Sequence, residues 1–140
     1  MATTTATITL ASTDIADNAL SVSNTMTLTT AGTTTGVTET TGLARLKMAS
    51  TTLTDLITVA NVTGFTAAKS GKVYIKNTGT STEKFGIIGI GDSGGTPTTI
   101  GRLYGGDWML FPWDGNSGED ITIDMSDATE TIIEYMVFFE

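Results

Sequence analysis

Residues 100–113 read IGRLYGGDWMLFPW and residues 131–140 read TIIEYMVFFE. Both tryptophans and most of the other large side chains fall in these two runs, so any core must be built on them. In the first run, residues 98–104 and 107–111 predict two strands joined by Gly105 and Gly106, because paired glycines tolerate the positive φ of a hairpin turn. Pro112 has no N–H to give to a ladder, so the second strand ends there or lies at an edge. In the last run Ile133, Tyr135, Val137 and Phe139 share one face, and Ile132, Met136 and Phe138 share the other. Apolar groups on both faces predict a central strand, in which Glu134 needs water or a partner.

Working outward, the alternation of period two recurs. Residues 72–77 (KVYIKN) place Val73 and Ile75 inward and Lys72, Tyr74 and Lys76 outward. Residues 120–125 (DITIDM) bury Ile121, Ile123 and Met125, and residues 84–91 (KFGIIGIG) carry glycines that signal a bulge or a close backbone approach. Residues 53–62 (LTDLITVANV) read as a further strand, while residues 43–48 (LARLKM) fit a strand or a helical turn equally. Toward the amino terminus, residues 2–10 and 20–30 alternate threonine or serine with apolar groups, the pattern of strands with one wet face. Residues 12–18 form a turn-rich link in which Asp14, Asp17 and Asn18 can bond their own backbone. Residues 31–41 have little to bury and read as a loop. The sum is roughly eight to ten short strands and no convincing helix, an all-β sandwich or barrel. Residues 1–44, with 16 threonines and no basic or aromatic residue, form an extended Thr-rich arm with the first strand or strands. Residues 45–140 form the β-sandwich domain.

The composition excludes whole classes of chemistry. The chain of 140 residues holds no cysteine and no histidine, which removes disulfide scaffolds, thiol nucleophiles, the usual zinc sites and the Ser-His-Asp arrangement. No enzyme activity, cofactor or metal is expected. The net charge of −8 is unevenly placed: −3 over residues 1–44, +4 over 45–102 and −9 over 103–140. The basic middle and the acidic end can face each other within one fold or between copies, or simply form a solvated surface. Direct nucleic-acid binding is disfavoured, because the whole-chain field repels phosphate. The first ten residues lack a basic leader and no apolar run is long enough to cross a bilayer, so the chain reads as soluble, made in the cytoplasm and without a membrane partner.

Three local patterns carry weaker signals. Gly91, Asp92, Ser93, Gly94 and Gly95 spell the segment around a serine-protease nucleophile, but with no histidine to take the proton they read as a turn. The loop from Asp114 to Asp120 offers alternate oxygen ligands without the full spacing of a calcium loop, and an acidic surface loop explains it as well. A carboxylate-based glycosidase needs two acids across a cleft, for which Asp107, Asp114 and Glu134 are the only candidates near aromatics. Tyr104, Trp108, Phe111 and Trp113 read as core or subunit interface rather than a stacking site for bases or sugars.

The order KVYIKNTGTSTEKFGIIGI, then IGRLYGGDWMLFPWDG, then DITIDMSDATETIIEYMVFFE, over residues 72–140, resembles small virion structural proteins of tailed marine bacteriophages, the cyanophage-like capsid decoration or cement type. In that group a YIKN strand, a glycine pair before an aromatic strand ending in PW, and a final EYM strand recur. The resemblance implies a β-sandwich or jelly-roll subunit present in many copies on the particle, and the first functional expectation is a decoration protein assembled in the host cytoplasm and carried on the capsid exterior as a homotrimer. There it would bridge subunits of the major capsid protein. A tail or fibre component that contacts the host surface is the other role it leaves open.

Overall fold

The computed structural model describes residues 4–13, 20–28, 37, 39–66, 69–116 and 118–139, with the side chain of Ser70 excepted. Within them the chain forms β1 (Thr5–Ser12), β2 (Leu20–Thr27), β3 (Glu39–Thr40), β4 (Ala44–Met48) and β5 (Thr54–Ile57). A single 3₁₀ turn (Val59–Asn61) follows, then β6 (Ser70–Asn77), β7 (Phe85–Ile90), β8 (Thr98–Tyr104), β9 (Trp108–Asp114), β10 (Ile121–Met125) and β11 (Thr131–Phe139). The fold is all-β. One antiparallel sheet has the order β5-β10-β7-β8; the other runs β3-β11-β6-β9, with β4 also on β11; among the described residues β1 and β2 pair only with each other.

The pairing is nested. β4 lies on β11, β5 on β10, β6 on β9 and β7 on β8, so the chain behaves as one long double strand folded across two sheets. Adjacent turns of that double strand are sealed where β11 meets β6 and β10 meets β7. The core lies between the two sheets. Val73, Ile75, Ile133 and Val137 from one sheet and Ile88, Ile121 and Ile123 from the other have no exposed surface. Each contributes about 1.5–3 kcal/mol by leaving water. Phe65, from the segment after the 3₁₀ turn, closes one end against Trp113 and Phe139, with ring centroids 5.0 and 5.4 Å away.

The alternating runs stand as strands, and 131–139 is central as expected, flanked by β6 on one side and by β3 and β4 on the other. Residues 44–48 settle as a strand. Pro112 does not end β9, which continues to Asp114 as an edge strand, the position where a missing N–H is tolerated. Two expectations need correction. The run 53–62 is a strand only as far as Ile57, because Asp120 captures the Val59 amide (2.7 Å) and a 3₁₀ turn begins there. The Gly105–Gly106 turn does not close a hairpin: β8 and β9 belong to different sheets, and the turn is the corner between them. Its geometry still demands glycine, since Gly106 has φ +88° and a Cβ on Gly105 would stand 2.6 Å from the Ser81 amide nitrogen. Residues 29–36 and 38, and with them most of the expected loop over 31–41, lie outside the described residues, as do Asp14, Asp17 and Asn18.

Among the described residues three polar side chains are buried, and two of them tie the arrangement together. Asn77, 2% exposed, donates from Nδ2 to the Leu103 carbonyl (3.0 Å) and accepts the Gly79 amide on Oδ1 (2.9 Å), joining β6 to a strand of the opposite sheet. Asp120 holds the 3₁₀ turn as described. Thr122 has no exposed surface, and its hydroxyl has no hydrogen-bonding partner among the described residues. It sits over Gly89, where an added Cβ would approach it to 2.8 Å, which explains the glycine and accompanies the bulge between Ile88 and Gly89.

The charge segregation of the sequence resolves within one fold. Arg45, Lys47 and Lys84 of the basic middle pair with Glu134 (2.7 Å), Glu130 (2.8 Å) and Asp127 (2.9 Å) of the acidic end. The two exposed pairs, Lys47–Glu130 and Lys84–Asp127, contribute little each, about 0–1 kcal/mol.

Candidate interaction surface

Strand parity and register build the outer face of the five-stranded sheet row by row. Pro112, Lys72 and Phe138 lie side by side; the next row is Leu110, Tyr74 and Met136; the third is Trp108, Lys76, Glu134 and Arg45. Two rows are mainly apolar and one is mainly charged. Glu134, 14% exposed, finds its required partner in Arg45. Burial, with Glu134 nearby as the lesser cause, raises the Tyr74 hydroxyl above its ordinary pKa, and burial lowers the Lys72 ammonium.

The β1–β2 hairpin stands against this face at its base. Leu28 is buried there, its amide bonded to the Thr4 carbonyl (2.8 Å), and Val37 is buried beside it and bonded to the Leu28 carbonyl (3.2 Å). A cavity of about 240 Å³ separates the start of β1 from Tyr74, Trp108 and Phe138. A larger cleft of about 470 Å³ opens between Ile8, Asn24 and Met26 of the hairpin and Lys72, Leu110 and Pro112 of the sheet. Cross-strand partners Ala6 and Met26, Ile8 and Asn24, Leu10 and Val22 put nearly every apolar hairpin residue on one side. The other side is threonine and serine, with the Thr7 and Thr25 hydroxyls bonded to each other at 2.8 Å.

The aromatic cluster read from the sequence divides. Trp113 is 2% exposed and donates its indole N–H to the Glu119 carbonyl (2.7 Å), while Trp108 is 49% exposed with the Tyr74 ring 6.5 Å away. Tyr104 instead stacks near Phe85 in the other sheet, at 5.1 Å. The signal for the split was present: residues five apart in one strand point to opposite faces. The exposed apolar side of the hairpin is the feature sequence reading missed, because alternation identifies a face without telling what covers it.

The acidic candidates are not drawn into one site. Asp107 accepts the Tyr104 amide (2.9 Å) at the corner before β9 and Asp114 ends the same strand, roughly 23 Å away at 3.3 Å per residue. Glu134 is held by Arg45. Asp120 is committed to Val59, Asp114 accepts from Asn116, and among the described residues no group of three or more acids is placed to hold a metal ion. Gly91 to Gly95 is a turn in which Asp92 accepts the Gly94 amide (2.6 Å) and Asp55 accepts the Ser93 amide (2.8 Å). Comparison with protein-family models, curated proteins and solved structures finds no match to this chain.

Proposed function

We propose that this chain is a structural virion protein of a tailed bacteriophage, a capsid decoration (cement) protein that stabilises the head from its exterior by bridging major capsid protein subunits. The observation that carries the reading is the exposed apolar side of the hairpin, Ile8, Leu10, Leu20 and Met26, with the exposed Trp108 of the five-stranded sheet. Contiguous apolar surface of this kind marks an interface. Two further features support it: the sequence pattern over residues 72–140, and the nested strand pairing, which we read as a jelly roll, an architecture used by capsid proteins. The role needs only area and symmetry. A subunit seated across a seam adds buried surface on both sides, and packaged DNA must separate that surface before the shell can open. Homotrimer formation belongs to the same proposal.

Particles assembled with and without the protein test this. The expected result is a copy number comparable to that of the major capsid protein and earlier DNA loss on heating when it is absent. Equal heat resistance of both particles would refute the role. The exposed Trp108 beside Tyr74 favours one other reading, a tail or fibre component whose aromatics stack on host sugars. A handful of copies per particle, with glycan binding abolished by Trp108→Ala, would select it.

A further inference from the structure

We propose that the apolar face of the β1–β2 hairpin is covered by the same face of another copy of this chain, the copies converging about the axis of the homotrimer. This deepens the reading of the molecule as an interface-forming subunit by naming what one of its surfaces meets, and it is testable without any capsid.

A two-stranded hairpin alone is at best marginally stable in water and needs a further layer on its apolar side. Here that side is bare beyond the base: Ile8, Leu10 and Met26 are 45, 53 and 60% exposed. With Leu20 they offer on the order of 400 Å² per copy, or roughly 800 Å² for two, before the adjoining Trp108 and Leu110 are added; specific interfaces bury about 1,200–2,000 Å² in total. The cleft toward Leu110 and Pro112 continues the same surface onto the body.

Two features select another copy as the occupant. The first is charge. The chain carries −8, yet residues 4–13 and 20–28 contain no charged side chain, so hairpins can meet while the acidic bodies stay apart. The second is Asn24, the one amide in the middle of the apolar side, directly across from Ile8. An apolar partner would bury it unsatisfied, at a cost of about 1–3 kcal/mol. Another Asn24 offers both a donor and an acceptor, so amides meeting about a symmetry axis satisfy each other and fix the register, as a buried asparagine does in a coiled coil.

Sedimentation velocity of the full chain over about 1–100 µM is expected to show a closed oligomer. Leu10→Asp and Met26→Asp are each expected to weaken association by roughly 30-fold or more, as loss of a central apolar contact does. Thr9→Asp, on the hydroxyl side, adds the same charge and is expected to leave association unchanged. Far- and near-UV circular dichroism checks that each variant keeps its fold. Because the chain has no cysteine, Asn24→Cys introduces a lone thiol that is expected to link copies on mild oxidation, a readout independent of the charged variants. A wild-type monomer at the top concentration overturns the proposal. So does association by Leu10→Asp and Met26→Asp as tight as wild type, equal weakening by Thr9→Asp, or absent cross-linking in an oligomer. Any of these with particle binding intact leaves the decoration role standing.

Discussion

Replacing Asn77 by alanine removes the polar tie between the two sheets at the end of β6. The Leu103 carbonyl then loses its donor and the Gly79 amide its acceptor, at 3.0 and 2.9 Å in the native fold. Leu103 is 3% exposed, so its carbonyl has little access to replacement water. Each buried hydrogen bond contributes about 1 kcal/mol net and each stranded group adds a desolvation cost, so the expected loss is about 2–4 kcal/mol. Urea unfolding followed by far-UV circular dichroism measures it, with an unchanged m-value showing that the native state keeps its compactness. Asn77→Asp separates the two bonds. The carboxylate still accepts from Gly79, but at neutral pH it has no proton for Leu103 and faces that carbonyl with its charge. Burial raises its folded pKa above the unfolded value, the one cation that lines the same cavity, Lys84, being already paired with Asp127, so the folded state binds the proton more tightly. Its deficit relative to wild type at the same pH therefore shrinks as pH falls through the folded pKa. A loss below about 1 kcal/mol for Asn77→Ala, or an Asn77→Asp deficit that does not change with pH, would refute the reasoning.

Thr122→Val removes a buried hydroxyl that has no partner among the described residues, and a gain of about 1 kcal/mol in the same unfolding assay is expected; a loss would show that the hydroxyl is bonded. Trp113→Ala is expected to cost about 3–5 kcal/mol, and Trp108→Ala, at the exposed site, less than about 1 kcal/mol; equal costs would overturn the division of the two indoles. The Thr129 side chain first, then Lys84 and the Thr129 amide, hold the Asp127 carboxyl down from 3.8 to about 2. A depressed folded pKa gives stability that is present above the unfolded value and is lost as pH falls through the folded one, so the contribution should fade between about pH 4 and pH 2. In Asp127→Asn this part of the pH dependence of the unfolding midpoint should vanish, and its persistence would contradict the assignment.

Much of the sandwich was legible because period two reports directly which side of a strand is dry. Val73 and Ile75, Ile121 and Ile123 were all marked by alternation alone and are all fully buried, whereas in residues 131–139, apolar on both faces, alternation did not tell that Ile133 and Val137 are on the drier one. What alternation does not carry is the partner. Gly105 and Gly106 promised a tight turn and made one, but positive φ serves a corner between sheets as well as a hairpin, so local sequence does not distinguish them. The 3₁₀ turn at Val59 depends on Asp120, sixty-one residues away, and no local pattern announces such a contact. The candidate surface divides in the same way. Its rows follow from parity once strand neighbours are known, whereas the bare side of the hairpin appears only when the position of the body is known.

The edge of β11 is shared by two successive strands. Glu39 and Thr40 lie opposite Phe139 and Phe138, Ala44 to Met48 lie opposite Tyr135 to Thr131, and Thr41 bridges the interval by exchanging bonds with Val137. Among the described residues the first ladder between this side of the chain and the body is the Glu39 rung, so tension drawn through the hairpin is expected to peel a two-residue ladder before it loads the five rungs of β4 and the ion pairs of Arg45 and Lys47. A ladder of two rungs opens more readily than one of five, so the short strand is expected to yield some chain length first, with the sandwich behind it still shut.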